Sequence, residues 1–180
     1  MRIIAGDLRG RRLHPPMGLP VRPTTDMARE ALFNILRNRV EFDQVSVLDL
    51  FSGTGAIGFE FVSRGVKHVT SVELNPKCVD FQKRTAEEFG LNNFVALRMD
   101  AFNFLGRSRQ AFDIVFADPP YELKQFDIIP ELVLKSFLKP YGIFVLEHSK
   151  AHDFKSNPCF VEQRHYGKVN FSFFQKEQEE

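Results

Sequence analysis

Val45-Ser-Val-Leu-Asp-Leu-Phe51, followed by Ser52-Gly-Thr-Gly-Ala-Ile-Gly58, decides the fold of this chain. A short β-rich run passes into Gly53-x-Gly55-x-x-Gly58, then into a helical pattern from about Ala56 to Arg64. Gly65 closes that helix in the C′ position. Glycines at this spacing let the backbone turn sharply and approach a ligand with no Cβ in the way. Taken alone, the pattern fits a dinucleotide site, an S-adenosylmethionine site or a tight structural turn.

Outward from this loop, strands and helices alternate. His68–Glu73 reads as a second strand, and Asn75-Pro76 opens a helix that ends near Gly90. Phe94–Met99 and Ala111–Ala117 read as a third and fourth strand, residues 124–138 as a helix, and Ile143–Glu147 as a fifth strand. Phe160–Arg164 and Val169–Phe174, around Tyr166-Gly167, read as a final antiparallel pair. Upstream, Thr24 and Thr25 offer a cap to a helix reaching about Asn38. Residues 1–23, with four prolines and Gly6, Gly10 and Gly18, read as short extended pieces and turns. The expected fold is α/β: a doubly wound, Rossmann-like sheet, mostly parallel, with a C-terminal antiparallel hairpin and a small N-terminal arm. Two units are expected, an Arg-rich arm and helix over 1–40 and the main domain over 41–176.

Acidic residues stand at three successive strand ends. Asp49 lies four residues before Gly53, where it would repel a pyrophosphate but suit a ligand carrying an ammonium and a sulfonium. Glu73 ends the second strand, where an acid accepts from ribose hydroxyls. Asp100 ends the third and is placed toward an adenine. Any one of them alone reads equally well as a helix cap. As a set in phase with the strands they line the carboxyl edge, where open α/β sheets bind ligands.

Asp118-Pro119-Pro120-Tyr121 follows the fourth strand on that same edge. Two prolines stiffen the loop and hold Asp118 and Pro119 extended. The carboxylate and nearby carbonyls then converge as acceptors on one point, which suits a planar NH₂ group. Acceptors on its hydrogens favour the pyramidal amine and aim the lone pair at a methyl sulfonium, and Tyr121 is placed to stack on a base.

Charge is unevenly spread. Residues 1–40 carry eight Arg and no Lys against Asp7, Asp26 and Glu30, a balance of +5, and the remaining residues carry −4, giving the net +1. An Arg-only arm with the cluster Arg9-Gly-Arg11-Arg12 is the footprint of nucleic-acid binding. The ordinary composition excludes disorder, a fibrous fold and a disulfide scaffold. No apolar run is long enough to span a bilayer and no secretory h-region opens the chain. Cys78 and Cys159 have no metal spacing and read as reduced thiols. The five histidines are scattered, so no metal site is expected. Glu147 ends the fifth strand, as substrate contact or cap, and His148 reads as a loop histidine.

In their order, Asp49-Leu-Phe-Ser-Gly-Thr-Gly55, Val72-Glu73, Asp100 and Asp118-Pro-Pro-Tyr121 resemble the amino-methylating class I methyltransferases. Three further stretches narrow the resemblance: Arg2-Ile-Ile-Ala-Gly6, Arg9-Gly-Arg-Arg-Leu13 and Arg22-Pro-Thr-Thr-Asp-Met-Ala-Arg-Glu-Ala-Leu-Phe-Asn-Ile-Leu36. They are similar to the RsmD family, bacterial methyltransferases acting on guanine N2 of 16S ribosomal RNA, over about residues 2–174. Asp7 and Leu8 stand where that family often has a basic residue and an aromatic.

The resemblance implies S-adenosylmethionine as cofactor. Asp49, Phe51, Gly53 and Gly55 would shape the methionine pocket, Glu73 would hold the ribose, and Asp100 with Ala101 would flank the adenine. Asp118, Pro119, Pro120 and Tyr121 would receive the guanine, and Arg9, Arg11, Arg12 and Arg22 would contact RNA phosphates. A cytoplasmic monomer acting on the small ribosomal subunit is the expectation. The competing readings are the same chemistry on DNA adenine N6 and a nicotinamide-dependent oxidoreductase.

Overall fold

A computed structural model describes residues 1–19 and 24–176. Its strands are β1 (Ser46–Leu50), β2 (His68–Glu73), β3 (Phe94–Arg98), β4 (Phe112–Ala117), β5 (Leu138–His148), β6 (Phe160–Tyr166) and β7 (Val169–Gln175). They form one sheet in the order β3-β2-β1-β4-β5-β7-β6. The first five pair in parallel, and β7 runs antiparallel to both β5 and β6. The chain winds outward from β1 to β2 and β3, then returns to place β4 on the other side. The switch point therefore falls between β1 and β4, where a doubly wound sheet opens a crevice at its carboxyl edge.

The helices are α1 (Asp26–Leu36), α2 (Ala56–Ser63), α3 (Pro76–Glu88), α4 (Ala101–Arg107) and α5 (Ile129–Ser136). The strands alternate between two apolar layers. Val47, Val69, Ile114 and Val145 join α1, α2 and α3 in one core, whereas Leu48, Leu50, Val115 and Leu146 join α4 and α5 in the other. Many of the phenylalanines fill these layers. Phe33 of α1 and Phe61 of α2, both fully buried, meet edge to face at 4.6 Å between centroids. Truncating either ring would cost about 3–5 kcal/mol.

The N-terminal arm is a short hairpin. Arg2 pairs with Arg12, and Leu13 donates its amide to the Met1 carbonyl. It lies along α2. Glu60, wholly buried, accepts from the Ile4 and Ala5 amides at 2.8 and 3.1 Å, and the Ser63 hydroxyl accepts from the Leu8 amide at 2.9 Å. Asp7 and Leu8 thus serve the turn that seats the arm. Ile3 and Leu13 enter the same core as α1 and α2, so the arm packs continuously with the main sheet layer.

Several elements differ from expectation. The α1 helix stops at Leu36, short of Asn38. The expected helix over 124–138 is a turn, then one 3₁₀ turn at Phe126–Ile128, then α5, with Pro130 in the first turn where its missing N–H is harmless. Pro140, Tyr141 and Gly142 lie inside a strand and not in a connecting loop. β5 starts at Leu138 and runs through an irregularity in its pairing with β4, with Tyr141 at φ 60°. Consequently His148 is a fully buried strand residue, held by Ser172 Oγ at 2.7 Å, and not a loop histidine. The seven residues of α4 give too little periodicity to be read from sequence, and the visible sign was its cap, Asp100.

Candidate active site at the carboxyl edge

The loop after β1 turns through three left-handed residues, Phe51 (φ 56°), Gly53 (φ 55°) and Gly55 (φ 76°). The conformation is costly at Phe51 and is sustained by the packing around it. Its ring lies edge-on to Phe102, 6.2 Å between centroids. Gly55 is the N-cap of α2 and has no side chain to offer. Asp49 supplies the cap instead, its Oδ2 accepting from the Gly58 amide at 3.1 Å. A Cβ on Gly58 would come within 2.9 Å of the Phe94 ring and 3.2 Å of Asp49 Oδ2. Thus the third glycine of the motif is there for helix–sheet contact.

Asp49 is only 1% exposed. Burial pushes its carboxyl up to about 8; the Gly58 hydrogen bond opposes this and the charge of Glu73 adds to it. Glu73, at the end of β2, accepts from the Gly53 amide through Oε2 and from the Asn75 amide through Oε1, both at 2.8 Å. It therefore fixes the glycine loop and keeps lone pairs free for further donors. Asp100 caps α4 through the Asn103 amide at 2.9 Å, beside the buried Ala101.

Two residues of this edge escaped the sequence reading. Gln82 of α3 is fully buried. Its Nε2 donates to Ser52 Oγ at 2.9 Å and to the Gly53 carbonyl at 2.8 Å, while its Oε1 accepts from Ser71 Oγ at 2.6 Å. The signal was present: an amide sits at the helical spacing of Cys78, Val79, Thr85 and Ala86, the buried face of α3. The second is Thr24, whose hydroxyl donates to Glu147 Oε2 at 3.0 Å. This ties the start of α1 to the end of β5.

Asp118 leaves β4 with its amide on the Leu50 carbonyl at 3.3 Å, alongside the glycine loop. Pro119 is buried, Pro120 exposed and Tyr121 half-buried, and the Leu123 amide closes the turn on the Pro120 carbonyl at 3.0 Å. Burial holds the Asp118 carboxyl well above its ordinary range, reinforced first by Glu147 and then by Asp49. Glu147, only 3% exposed, is itself pushed up to about 7 by burial against the Thr24 hydrogen bond. Asp49, Glu73, Asp118 and Glu147 form no salt bridge among the described residues. The edge is rich in uncompensated carboxylates, and it fits a cationic ligand better than a pyrophosphate.

The arginines separate. Arg9, Arg11 and Arg12 are all exposed, but Arg9 sits in the hairpin turn seated on the last turn of α2, away from the carboxyl edge. Arg11 lies over the Phe89 ring at 4.7 Å, beyond the end of α3, and Arg12 lies nearer the open end of the hairpin. Arg22 lies outside the described residues. Arg29, counted in the basic arm, is fully buried and clamps Arg2 O at 2.6 Å and Asp26 at 2.8 Å. Arg39 pairs with Glu162. The charge surplus of the arm therefore overstates the cations open to a partner. Among the described residues, no group of three or more His, Cys, Asp or Glu is arranged to hold a metal ion. No described helix is long and apolar enough to cross a membrane.

A doubly wound sheet in this strand order, with a left-handed glycine loop after β1 and an acidic carboxyl edge, defines a class I methyltransferase. The chain belongs to the RsmD family, matching the family described as Conserved hypothetical protein 95 over residues 1–175. The Ribosomal RNA small subunit methyltransferase D of Haemophilus influenzae is 31% identical over 182 residues, covering 97% of this chain and 93% of that protein. The protein of the same name from Buchnera aphidicola of Baizongia pistaciae is 32% identical, over 82% of this chain and 75% of its own length. The solved structure of yhhF, a candidate methyltransferase of Escherichia coli, superimposes at a TM-score of 0.86 with 28% identity, covering 98% of each chain.

Proposed function

We propose that this protein transfers a methyl group from S-adenosylmethionine to the exocyclic N2 amine of a guanine in the 16S RNA of the small ribosomal subunit. The observation that carries the reading is the Asp118-Pro119-Pro120-Tyr121 loop, fixed beside the glycine loop with its carboxylate among other unpaired acids. The relatives named as small-subunit ribosomal RNA methyltransferases supply the substrate class. When bound, S-adenosylmethionine supplies an electrophilic methyl on a good leaving group.

The protein's part is positioning. Glu73 and the backbone around Gly53 and Gly55 hold the ribose and methionine ends, and Asp100 with Ala101 flanks the adenine. Asp118 and the adjoining main chain accept from the amine hydrogens and aim its lone pair, and Tyr121 stacks on the base. In its ionised form Asp118 takes the proton that the methylated amine sheds, a step that needs little base strength because the leaving group is good. The base must leave its stack to reach this edge, so an accessible RNA loop is the expected target. Arg9, Arg11, Arg12 and Arg22 supply phosphate contacts, and the reading is of a monomeric cytoplasmic enzyme.

The test is transfer of labelled methyl from S-adenosylmethionine to small subunits lacking the modification, beside unmethylated duplex DNA. N2-methylguanine in the small-subunit RNA alone is the expected product. Label in DNA adenine would replace this reading with amino-methylation of DNA. In the same assay Asp118→Ala should keep cofactor affinity and lose about 10²–10³-fold in transfer, as when one positioned polar group is removed.

A further inference from the structure

Glu147 is the acid of the carboxyl edge that neither the glycine loop nor the Asp-Pro-Pro-Tyr loop accounts for. In the parallel pairing of β4 with β5, Ala117 lies opposite Leu146. The next residues along, Asp118 and Glu147, are therefore neighbours across strands about 5 Å apart. Phe116 and Val145, two residues back on each strand, both face the α1–α2–α3 layer, and the strand alternation puts Glu147 on that same face. Asp118 has no hydrogen-bond donor on its carboxylate among the described residues, and Glu147 has only the Thr24 hydroxyl, at 3.0 Å. Two adjacent carboxyl groups, both short of donors from the protein, leave acceptors open to a ligand. Each holds its proton more tightly because of burial and, for Asp118, because of the other.

A ligand that brings two adjacent N–H donors satisfies this pair. Guanine is the base that does so: its N1–H and N2–H groups lie side by side on one edge. Adenine and cytosine present one amine beside a ring-nitrogen acceptor, and uracil presents one N–H between two carbonyls. Resting on the function proposed above, we infer that Glu147 is the specificity residue of the site, accepting from guanine N1–H while Asp118 accepts from the N2 amine. Thr24 is the positioning residue that holds Glu147 Oε2, leaving Oε1 for the base. This also gives the Arg22–Leu36 block a direct part in base choice, through the hydrogen bond that Thr24 makes across the fold. Above about pH 7, where Glu147 is ionised, its carboxylate is repelled by the N1 lone pair of adenine or 2-aminopurine, which is the discrimination a site built for a donor provides.

The experiment uses a synthetic small-subunit RNA fragment carrying the guanine mapped by the labelling assay. A second fragment carries 2-aminopurine there, which keeps the 2-amine but has an acceptor at N1. S-adenosylhomocysteine binding reports folding of each variant. The wild type should prefer guanine by about 30–100-fold in kcat/KM, the worth of one charged hydrogen bond. Glu147→Gln, whose amide donates to an N1 acceptor, should narrow that preference at least about tenfold. Thr24→Val should narrow it partially, with S-adenosylhomocysteine affinity unchanged.

Equal loss on both bases in Glu147→Gln, with S-adenosylhomocysteine still bound, would overturn the inference and leave the proposed function standing. So would a wild type indifferent to the base. Failure of the wild type to methylate any guanine amine, in fragments or subunits, would overturn both together.

Discussion

Gln82 donates to the Gly53 carbonyl at 2.8 Å while accepting from Ser71 of β2, so a single buried amide joins the glycine loop to the neighbouring strand. Gln82→Leu would strand the Ser71 hydroxyl and the Gly53 carbonyl in an apolar setting. The expected loss of stability is about 1–3 kcal/mol by denaturant titration. S-adenosylhomocysteine affinity should also fall about tenfold, equivalent to ~1.4 kcal/mol. Normal affinity in a destabilised variant would mean that the amide supports the fold and not the loop.

Gly58 tests the packing of the same motif. An alanine there meets Phe94 and the capping oxygen of Asp49. Gly58→Ala should therefore destabilise by about 1–3 kcal/mol despite the better helix propensity of alanine. A stabilised variant, read from its thermal midpoint, would show that α2 shifts freely over the sheet.

Stability should depend on pH in a definite direction. Asp49 and Glu147 hold their protons in the folded chain up to about 8 and about 7, whereas the unfolded chain releases them in the ordinary carboxylate range. Between those limits the folded state binds more protons, so its stability falls as pH rises. His148 acts oppositely but only below its ordinary range, because burial keeps it neutral when folded. From about pH 6.5 to 8 the acids therefore dominate, with a drop on the order of 1–2 kcal/mol, seen as a fall of several degrees in Tm. Asp49→Asn should flatten that slope. A Tm rising across this interval would contradict the burial of these carboxyls.

Ligand binding should report on the same groups. If a cationic methionine end settles near Asp49, that carboxyl ionises on binding. Calorimetry at about pH 7 in two buffers of different ionisation enthalpy should then show proton release, reduced in Asp49→Asn. Equal enthalpies in both buffers would place the ligand's charge elsewhere.

The arm is testable by salt. Arg11→Ala with Arg12→Ala should lower RNA affinity and flatten its dependence on salt by about 1–2 in logarithmic slope. Arg9→Ala alone should matter less at the modified site, because Arg9 lies at the turn seated on the end of α2. An unchanged slope in the double variant would remove the arm from the RNA path.

What the sequence by itself determined was local. The strand–glycine–helix unit around Gly53–Gly58, the β2 strand and the Pro-stiffened loop after β4 follow from period, turn chemistry and caps within a few residues of each other. Asp49, Glu73, Asp100 and Asp118 were legible because each lies at or within two residues of the end of a strand that could be counted. Tertiary structure decided what depends on chains meeting across the fold. Thr24 reaches Glu147 across 123 positions of sequence, and Gln82 reaches the glycine loop across 29. Arg29 and His148, polar by type, are buried because the Arg2 carbonyl and the Ser172 hydroxyl, on other elements, satisfy part of their hydrogen bonding. The same holds for charge. The sequence gives only the sum over a segment, whereas the free energy of each carboxyl depends on how much water and which neighbour the folded chain leaves beside it.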